Sequence, residues 1–557
     1  MRFLRALTVA ASLVPLASAA VSKITRSGKY LYDDAGSRFY IKGVAYQPQG
    51  ELAVESEANA ANGGFPEPSS FFDPLSSEAN CTRDLPYLQQ LNVNAVRVYS
   101  VNSSLNHDAC MKLLDDAGIY VLLDISLPLN GSIDRASPSW TTNLLDEYIR
   151  TIDAFNKYPN VLAYNIGNEV ISTPRNTYAA PFVKAAARDV KAYLRSINSN
   201  ALVGYAAVDG EADFRDAVAH YMTCGNETET IDLYGLNNYQ WCGASSLTAS
   251  NWNTITQGFS DMTVPTYMSE YGCITSPPRL WTEVAALLAT PVSDVFSGGI
   301  AFSYFPTSDG YGMTTINGNT VTPNADFARL GAAYGNATGP NSPAQSSQAN
   351  SAATCPQESA TLLATTNLPP TPNPEVCNCL DKSAFACLVN DATANDPVKV
   401  GALLNIACDM LAQAGSTVDC TTIGGNGTTG TYGPLAMCSP DIKLSWAFSA
   451  YYMLNPVATS CDFAGNATRN EGADAPKTAE DAKIAADNCF AGKPAVVTPT
   501  SSPQSTGGGG SNSGGNAPAQ SSATSNQNSG AQASLSLPPL AAVVIGALGL
   551  VAGAVVV

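Results

Sequence analysis

Along residues 20–335, short apolar runs alternate with stretches whose apolar residues recur at helical spacing. Eight runs have strand length: Phe39–Tyr46, Val93–Tyr99, Ile119–Ile125, Val161–Asn168, Ala201–Ala207, Ile231–Tyr239, Val264–Glu270 and Gly299–Phe305. Between them lie patterns such as Asn143–Asn156, where Leu144, Leu145, Tyr148, Ile149 and Ile152 share a helical face, and Pro181–Ile197. Such alternation builds parallel βα units. A strand buried on both faces stays apolar throughout, as Tyr120-Val-Leu-Leu123 does. The number and spacing of the runs predict an α/β fold, a (β/α)8 TIM barrel over residues 20–335. A doubly wound open sheet is the alternative, but no Gly-rich phosphate loop follows the first run.

The rest of the chain has a different texture. Residues 336–354 are rich in Gly, Ser, Pro, Ala and Gln, a linker composition. Residues 355–490 hold nine of the chain's 14 cysteines and little apolar periodicity. They predict a small, mainly helical, disulfide-rich module that depends on its cross-links. Residues 491–534, with Gly507 to Gly510 consecutive, predict a disordered, O-glycosylated tether.

The two ends read as processing signals. Met1-Arg-Phe-Leu-Arg5, an apolar run to Leu16 and Ala17-Ser-Ala19 make residues 1–19 a secretory signal peptide. Residues 535–557 are almost wholly apolar and follow small polar residues around Asn528-Ser-Gly530. A GPI signal that is removed, with Asn528 as attachment residue, fits better than a transmembrane helix, because Pro538-Pro539 interrupts the segment and no Lys or Arg follows it.

Fourteen cysteines in a secreted chain imply disulfides. Only His107 and His220 are present, which disfavours a zinc site and a Ser-His-Asp triad, and no metal or cofactor is expected. Sequons at Asn80, Asn102, Asn130, Asn226, Asn336, Asn426 and Asn466 suit a glycosylating secretory route. A net charge of −18 argues against nucleic acid and anionic membranes as partners and suits an extracellular enzyme acting on a neutral polymer. A monomer is expected.

The candidate chemistry sits at two strand ends. Glu169 closes the fourth run and Glu270 the seventh. In a parallel barrel the strand ends open onto one face, where active sites assemble. A pair of carboxylates there is what glycosidic-bond chemistry requires, one to protonate the leaving oxygen and one to attack the sugar. Asn168, just before Glu169, is placed to bond the sugar 2-hydroxyl.

Asn-Glu at the fourth strand end and Glu at the seventh resemble the retaining β-glycosidases on (β/α)8 barrels. More narrowly, Phe39-Tyr-Ile-Lys-Gly-Val-Ala-Tyr-Gln47, Tyr120-Val-Leu-Leu-Asp124, Tyr164-Asn-Ile-Gly-Asn-Glu169 and Ser269-Glu-Tyr-Gly-Cys273 resemble the fungal cell-wall β-1,3-glucanosyltransferases of glycoside hydrolase family 72, the Gas/Gel/Phr type. The resemblance extends over the mature chain. It implies internal cleavage of a β-1,3-glucan, a covalent glycosyl-enzyme on Glu270 and transfer to the non-reducing end of another glucan. Glu169 is then the acid/base and Glu270 the nucleophile, with carboxyl groups about 5–5.5 Å apart. Whether water or a second glucan takes the intermediate is decided by acceptor binding, so a secreted endo-β-1,3-glucanase is an alternative. A non-catalytic glucan-binding wall protein is a further one.

The same resemblance supplies the surroundings. Tyr239 and Tyr304 end the sixth and eighth runs, where each would hold the nucleophile or stack on a glucose ring, with an ordinary core or rim tyrosine as the alternative. Arg97, Tyr99 and Asp124 are expected to complete the donor subsites, Arg97 also keeping Glu270 ionised. Gln47 lies at the mouth of the first run. Asp209 and Arg215 resemble a substrate-contacting loop, with a solvated salt bridge as an equal reading. Ser126–Asp134 resembles a glucan-lining loop, although a glycan on Asn130 would crowd it.

Cys81 with Cys110, and Cys242 with Cys273, are pairs that would brace rim loops. The resemblance pairs Cys224 with Cys355, clamping the second domain onto the first; spacing alone proves none of these pairings. The remaining cysteines, with Ser445-Trp-Ala-Phe-Ser-Ala-Tyr-Tyr452 and Cys461-Asp-Phe-Ala-Gly-Asn-Ala-Thr468, are similar to carbohydrate-binding family 43. Tyr451 or Tyr452 either extends the glucan groove or belongs to a core. The implied partners are β-1,3-glucan donor and acceptor chains and a GPI lipid. The implied location is the cell surface, at the plasma membrane or in the wall.

Overall fold

The computed structural model describes residues 21–50, 70–128, 131–414, 418–454 and 456–501. The expected signal peptide, the sequon at Asn130, the tether beyond Ser501 and the tail with Asn528 lie outside them.

Eight parallel strands close into a barrel: β1 (Ile41–Ala45), β2 (Ala95–Val98), β3 (Tyr120–Asp124), β4 (Val161–Asn168), β5 (Leu202–Val208), β6 (Leu233–Asn237), β7 (Thr266–Tyr271) and β8 (Phe296–Ala301). Closure of β8 onto β1 decides against the open sheet. Strand β8 begins at Phe296, three residues earlier than its apolar run, because Gly298 belongs to it. Gly298 has φ 90°, and a Cβ there would fall 2.1 Å from the Ile41 carbonyl oxygen. The closest approach at the barrel seam thus demands residues that read as strand breakers.

A helix follows each strand: α1 (Glu78–Gln90), α2 (Asp108–Asp116), α3 (Thr142–Phe155), α4 (Ala180–Ser196), α5 (Ala212–Thr223), α6 (Trp252–Gly258), α7 (Thr282–Leu287) and α8 (Ala325–Asn336). Helix α3 shows why they pack. Leu144, Leu145, Tyr148, Ile149, Ile152 and Phe155 form its buried stripe, and the larger aliphatic side chains contribute about 1.5–3 kcal/mol each. Helix α4 differs, since Lys184, Arg188, Asp189 and Lys191 are buried along with its apolar residues. A helix buried all round must be covered on its outer side as well.

The covering comes from the second module, built on α9 (Pro374–Ser383), α10 (Pro397–Gln413), α11 (Pro440–Leu454) and α12 (Ala479–Phe490). Disulfides Cys377–Cys438, Cys379–Cys489, Cys387–Cys461 and Cys408–Cys420 staple it. Arg188 donates to the Pro369 carbonyl at 2.9 Å, Thr371 Oγ1 donates to Asp189 at 2.7 Å, and Tyr432 packs edge-on against Phe182. Tyr452 is buried beneath Arg469 and Tyr451 packs edge-on against Phe463, so both serve the module's own packing.

Residues 336–354 depart from the flexible-linker expectation. Tyr40 and Tyr32 donate to the carbonyls of Pro340 and Pro343 at 2.9 Å each, and Arg38 donates to that of Ser342 at 2.6 Å. Composition marks this segment as unable to form its own core, yet its carbonyls satisfy buried donors that lead into β1. It runs as a strap to Cys355, which is bonded to Cys224.

Candidate active site

The strand ends are bent where the carboxylates leave them. Glu169 takes φ 51°, a left-handed conformation costing a non-glycine residue about 1 kcal/mol or more, and its amide is held by the Ala206 carbonyl of β5 at 2.8 Å. The β4–β5 register shifts between Asn165 and Asn168, and the β6–β7 register between Leu236 and Asn237, which pairs Asn237 with Glu270. Irregularities of this kind at a barrel rim re-aim side chains. Glu169 and Glu270 consequently line one cavity of about 340 Å3, with Gln47, Tyr99, Asn168, Arg135 and Phe302 among its walls.

The two carboxyl groups are served unequally. Glu270 Oε1 accepts from Tyr99 Oη at 2.9 Å and Arg97 Nη1 at 3.3 Å, and its Oε2 accepts from Tyr239 Oη at 2.8 Å. Glu169 accepts one side-chain bond among the described residues, from Asn237 Nδ2 to Oε1 at 2.7 Å. Burial raises both groups above the usual carboxylate range, Glu270 up to about 7. Arg97, Tyr239 and Tyr99 pull Glu270 back, while the neighbouring Glu169 pushes it up. Three donors against one place the negative charge on Glu270 and leave the proton to Glu169.

Several expected contacts are relocated. Arg97 is fully buried and touches no groove; it binds Asp124 through Nε and Nη2 at 3.2 and 2.8 Å, and Asn168 Oδ1 at 2.9 Å. Asp124 also accepts from Asn165 at 2.6 Å, so both its oxygens are engaged, and the residue borders the cavity. Arg97 therefore lies outside the donor subsites and instead forms an ion pair with Asp124 that supports Glu270.

Tyr304 is likewise not at the rim. It is fully buried and donates to Asp84 of α1 at 3.0 Å, beside Tyr46, which donates to the same carboxylate at 2.8 Å. A buried acid draws phenols to itself, and Tyr99 fills the part that Tyr304 was expected to play. Arg215 is buried, 3.6 Å from Asp209 and 2.9 Å from Asp216, and Asp209 accepts from Asn238 at 2.7 Å. These groups brace the β6 rim and do not line the cavity described. Gln47 does line it, with its Oε1 spent on the amides of Tyr99 and Ser100 at 3.1 and 3.0 Å.

Asn237, Ser269, Phe302 and Arg135 were not singled out by sequence. Asn237 and Ser269 stood as polar residues inside strand-like runs, a readable signal, whereas nothing in the sequence marks Phe302 or Arg135. Cys81–Cys110 and Cys242–Cys273 are bonded, the latter beside Tyr239 and Glu270. The sequon residues Asn80, Asn102, Asn226, Asn336 and Asn426 are exposed. Asn466 is not: it is 8% exposed, donates to the Phe463 carbonyl at 2.7 Å and accepts from Thr393 at 3.0 Å, which removes it as a glycan acceptor on the folded protein.

Comparison with known proteins matches this architecture. Residues 13–338 match the glycoside hydrolase 72 family, described as glucanosyltransferase, and residues 385–468 match the X8 domain. The chain is 40% identical over 462 residues to 1,3-beta-glucanosyltransferase gas1 of Schizosaccharomyces pombe, covering 82% of this chain and 80% of that protein. It is 37% identical over 434 residues to 1,3-beta-glucanosyltransferase GAS2 of Saccharomyces cerevisiae, covering 76% and 75%. The crystal structure of Saccharomyces cerevisiae Gas2p in complex with laminaripentaose superposes with a TM-score of 0.71 at 35% identity, over 81% of this chain and 98% of that one. With the family matched along more than half of its length and these relatives aligned through both barrel and module, the chain belongs to the glucanosyltransferase family, glycoside hydrolase family 72.

Proposed function

We propose that the protein is a retaining β-1,3-glucanosyltransferase, with Glu270 as nucleophile and Glu169 as acid/base. The observation that carries the assignment is the unequal donor set, three groups on Glu270 against one amide on Glu169. Glu270 attacks the anomeric carbon of a β-1,3-glucan while Glu169 gives its proton to the departing 3-oxygen. The covalent glycosyl-enzyme is then attacked by the 3-hydroxyl at the non-reducing end of a second glucan. Its proton goes to Glu169, and the Glu270 carboxylate is released. Each step inverts the anomeric carbon, so the two together retain its configuration. Asn168 has its carboxamide oxygen taken by Arg97 and Asn237, which leaves its NH2 group for the sugar 2-hydroxyl.

The naming of the relatives as 1,3-beta-glucanosyltransferases supports transfer over hydrolysis, and the laminaripentaose held by Gas2p supports a glucan substrate. Incubation with a reduced laminari-oligosaccharide tests it. Products longer than the substrate are expected; shorter products alone mean an endo-glucanase, and binding without conversion means a scaffold. Seven disulfides suit an oxidising extracellular setting. A GPI anchor at Asn528, a cell-surface or wall location and a monomeric state complete the proposal, and release from membranes by a phosphatidylinositol-specific phospholipase tests the anchor.

A further inference from the structure

Asn237 stands at the end of β6, 4% exposed, with its carboxamide engaged on both sides. Its Oδ1 lies 3.4 Å from Arg97 Nη1 and accepts from Ser269 Oγ at 2.7 Å. A guanidinium can only donate, so a flipped amide would set donor against donor, and the orientation is fixed. Nδ2 must then face the other way, where it donates to Glu169 Oε1 at 2.7 Å and to Asn168 Oδ1 at 3.1 Å.

We propose that Asn237 is a positioning residue that reserves Glu169 Oε1 as a permanent acceptor, so that the transferable proton resides on Oε2 in both half-reactions. This rests on Glu169 being the acid/base. An oxygen facing an N–H that cannot turn away has no room for a proton of its own. Oε2 therefore gives its proton to the departing 3-oxygen as Glu270 bonds to the anomeric carbon. It takes a proton back from the acceptor hydroxyl as that oxygen displaces Glu270. The charged or titratable groups around Glu169 are Arg97 from β2, Arg135 from the loop after β3, Tyr205 from β5 and Glu270 from β7. Among the described residues none of these donates to Oε1, and Asn237 is the group that discriminates the two oxygens.

The test compares two donors in the full-length protein. A reduced laminari-oligosaccharide needs the leaving oxygen protonated, whereas laminaripentaosyl β-fluoride loses fluoride without a proton. Asn237→Ala is expected to slow the oligosaccharide reaction by about 100-fold, within the range general acid catalysis supplies, while first-turnover fluoride release falls by less than about threefold. The alkaline limb of the oligosaccharide pH profile should also move up, because a bond donated to the ionised carboxylate is lost. Asn237→Asp, which keeps the volume and Arg97's acceptor, should show the same contrast and guards against a folding defect. Equal losses on both donors, or no loss on either, overturn the proposal. Glu169→Ala measured alongside separates the cases: absence of the contrast there overturns the acid/base reading itself.

Discussion

Tyr99 and Tyr239 hold different oxygens of the same carboxylate, Tyr99 donating to Glu270 Oε1 at 2.9 Å and Tyr239 to Oε2 at 2.8 Å. Arg97 joins Tyr99 on Oε1. Oε2, with its single phenol, is the less heavily bonded of the two oxygens. The anchoring reaches deep, since Arg97 is held in turn by Asp124 and Asn168.

Tyr99→Phe and Tyr239→Phe each remove one bond to a charged acceptor, worth about 1.5–3 kcal/mol, so each should slow glycosyl-enzyme formation by roughly 10- to 100-fold. Both phenols pull Glu270 down from where burial puts it. Removing either raises its pKa, and the acidic limb of the pH–rate profile should move to higher pH. Profiles of kcat/KM on a laminari-oligosaccharide decide the matter; an unmoved acidic limb in both variants would mean the phenols do not tune the nucleophile.

Glu270→Gln should abolish transfer and stabilise the protein above neutrality. The folded-state pKa of Glu270 lies above the ordinary 4.5, so ionising it as the nucleophile costs more in the folded protein than in the unfolded chain. The contribution of Glu270 to stability is therefore complete below the unfolded pKa and is lost as pH rises through about 7. The glutamine variant has no such loss. Relative to wild type, its Tm should gain roughly 2–4 °C on going from pH 4 to pH 8, by calorimetry. Parallel Tm curves would show that Glu270 carries no ionisation strain.

The barrel was legible because its strands are buried on both faces and so read as apolar runs, and Glu169 and Glu270 because a charge ending such a run is costly without a use. What failed was direction. Tyr304 sits at a strand end like Tyr239, but the sequence does not reveal that Asp84, from a helix two hundred residues earlier, needs its hydroxyl. Arg97 was recognised as a support of Glu270, whereas its full burial on Asp124 depends on barrel closure. The segment 336–354 looked loose because composition reports what a stretch can bury, and its order comes from carbonyls given to other donors.

Glycopeptide mapping of the secreted protein should find Asn466 unmodified while some of Asn80, Asn102, Asn226, Asn336 and Asn426 carry glycans. The Asn466 amide is tied on both sides, and a glycan would have to break the bonds to Phe463 and Thr393. Attachment before folding is the only route to it. A high occupancy at Asn466 would show that the module closes after glycosylation or that this corner opens.

The barrel should not stand alone. Helix α4 buries Phe182, Arg188 and Asp189 against the second module, and Cys224 is bonded to Cys355 across 131 residues. Cys355→Ser removes only the cross-link, worth up to about 5 kcal/mol for a loop of that length, and leaves the noncovalent contacts in place. A chain ending at Thr354 loses both, leaving Arg188 without its Pro369 acceptor and Phe182 without Tyr432. In urea, the first unfolding midpoint should fall for Cys355→Ser and fall further, with aggregation, for the shortened chain. Equal midpoints for the shortened and full-length proteins would make the barrel an independent domain. The burial of α4 would then be mere contact between two separately stable units.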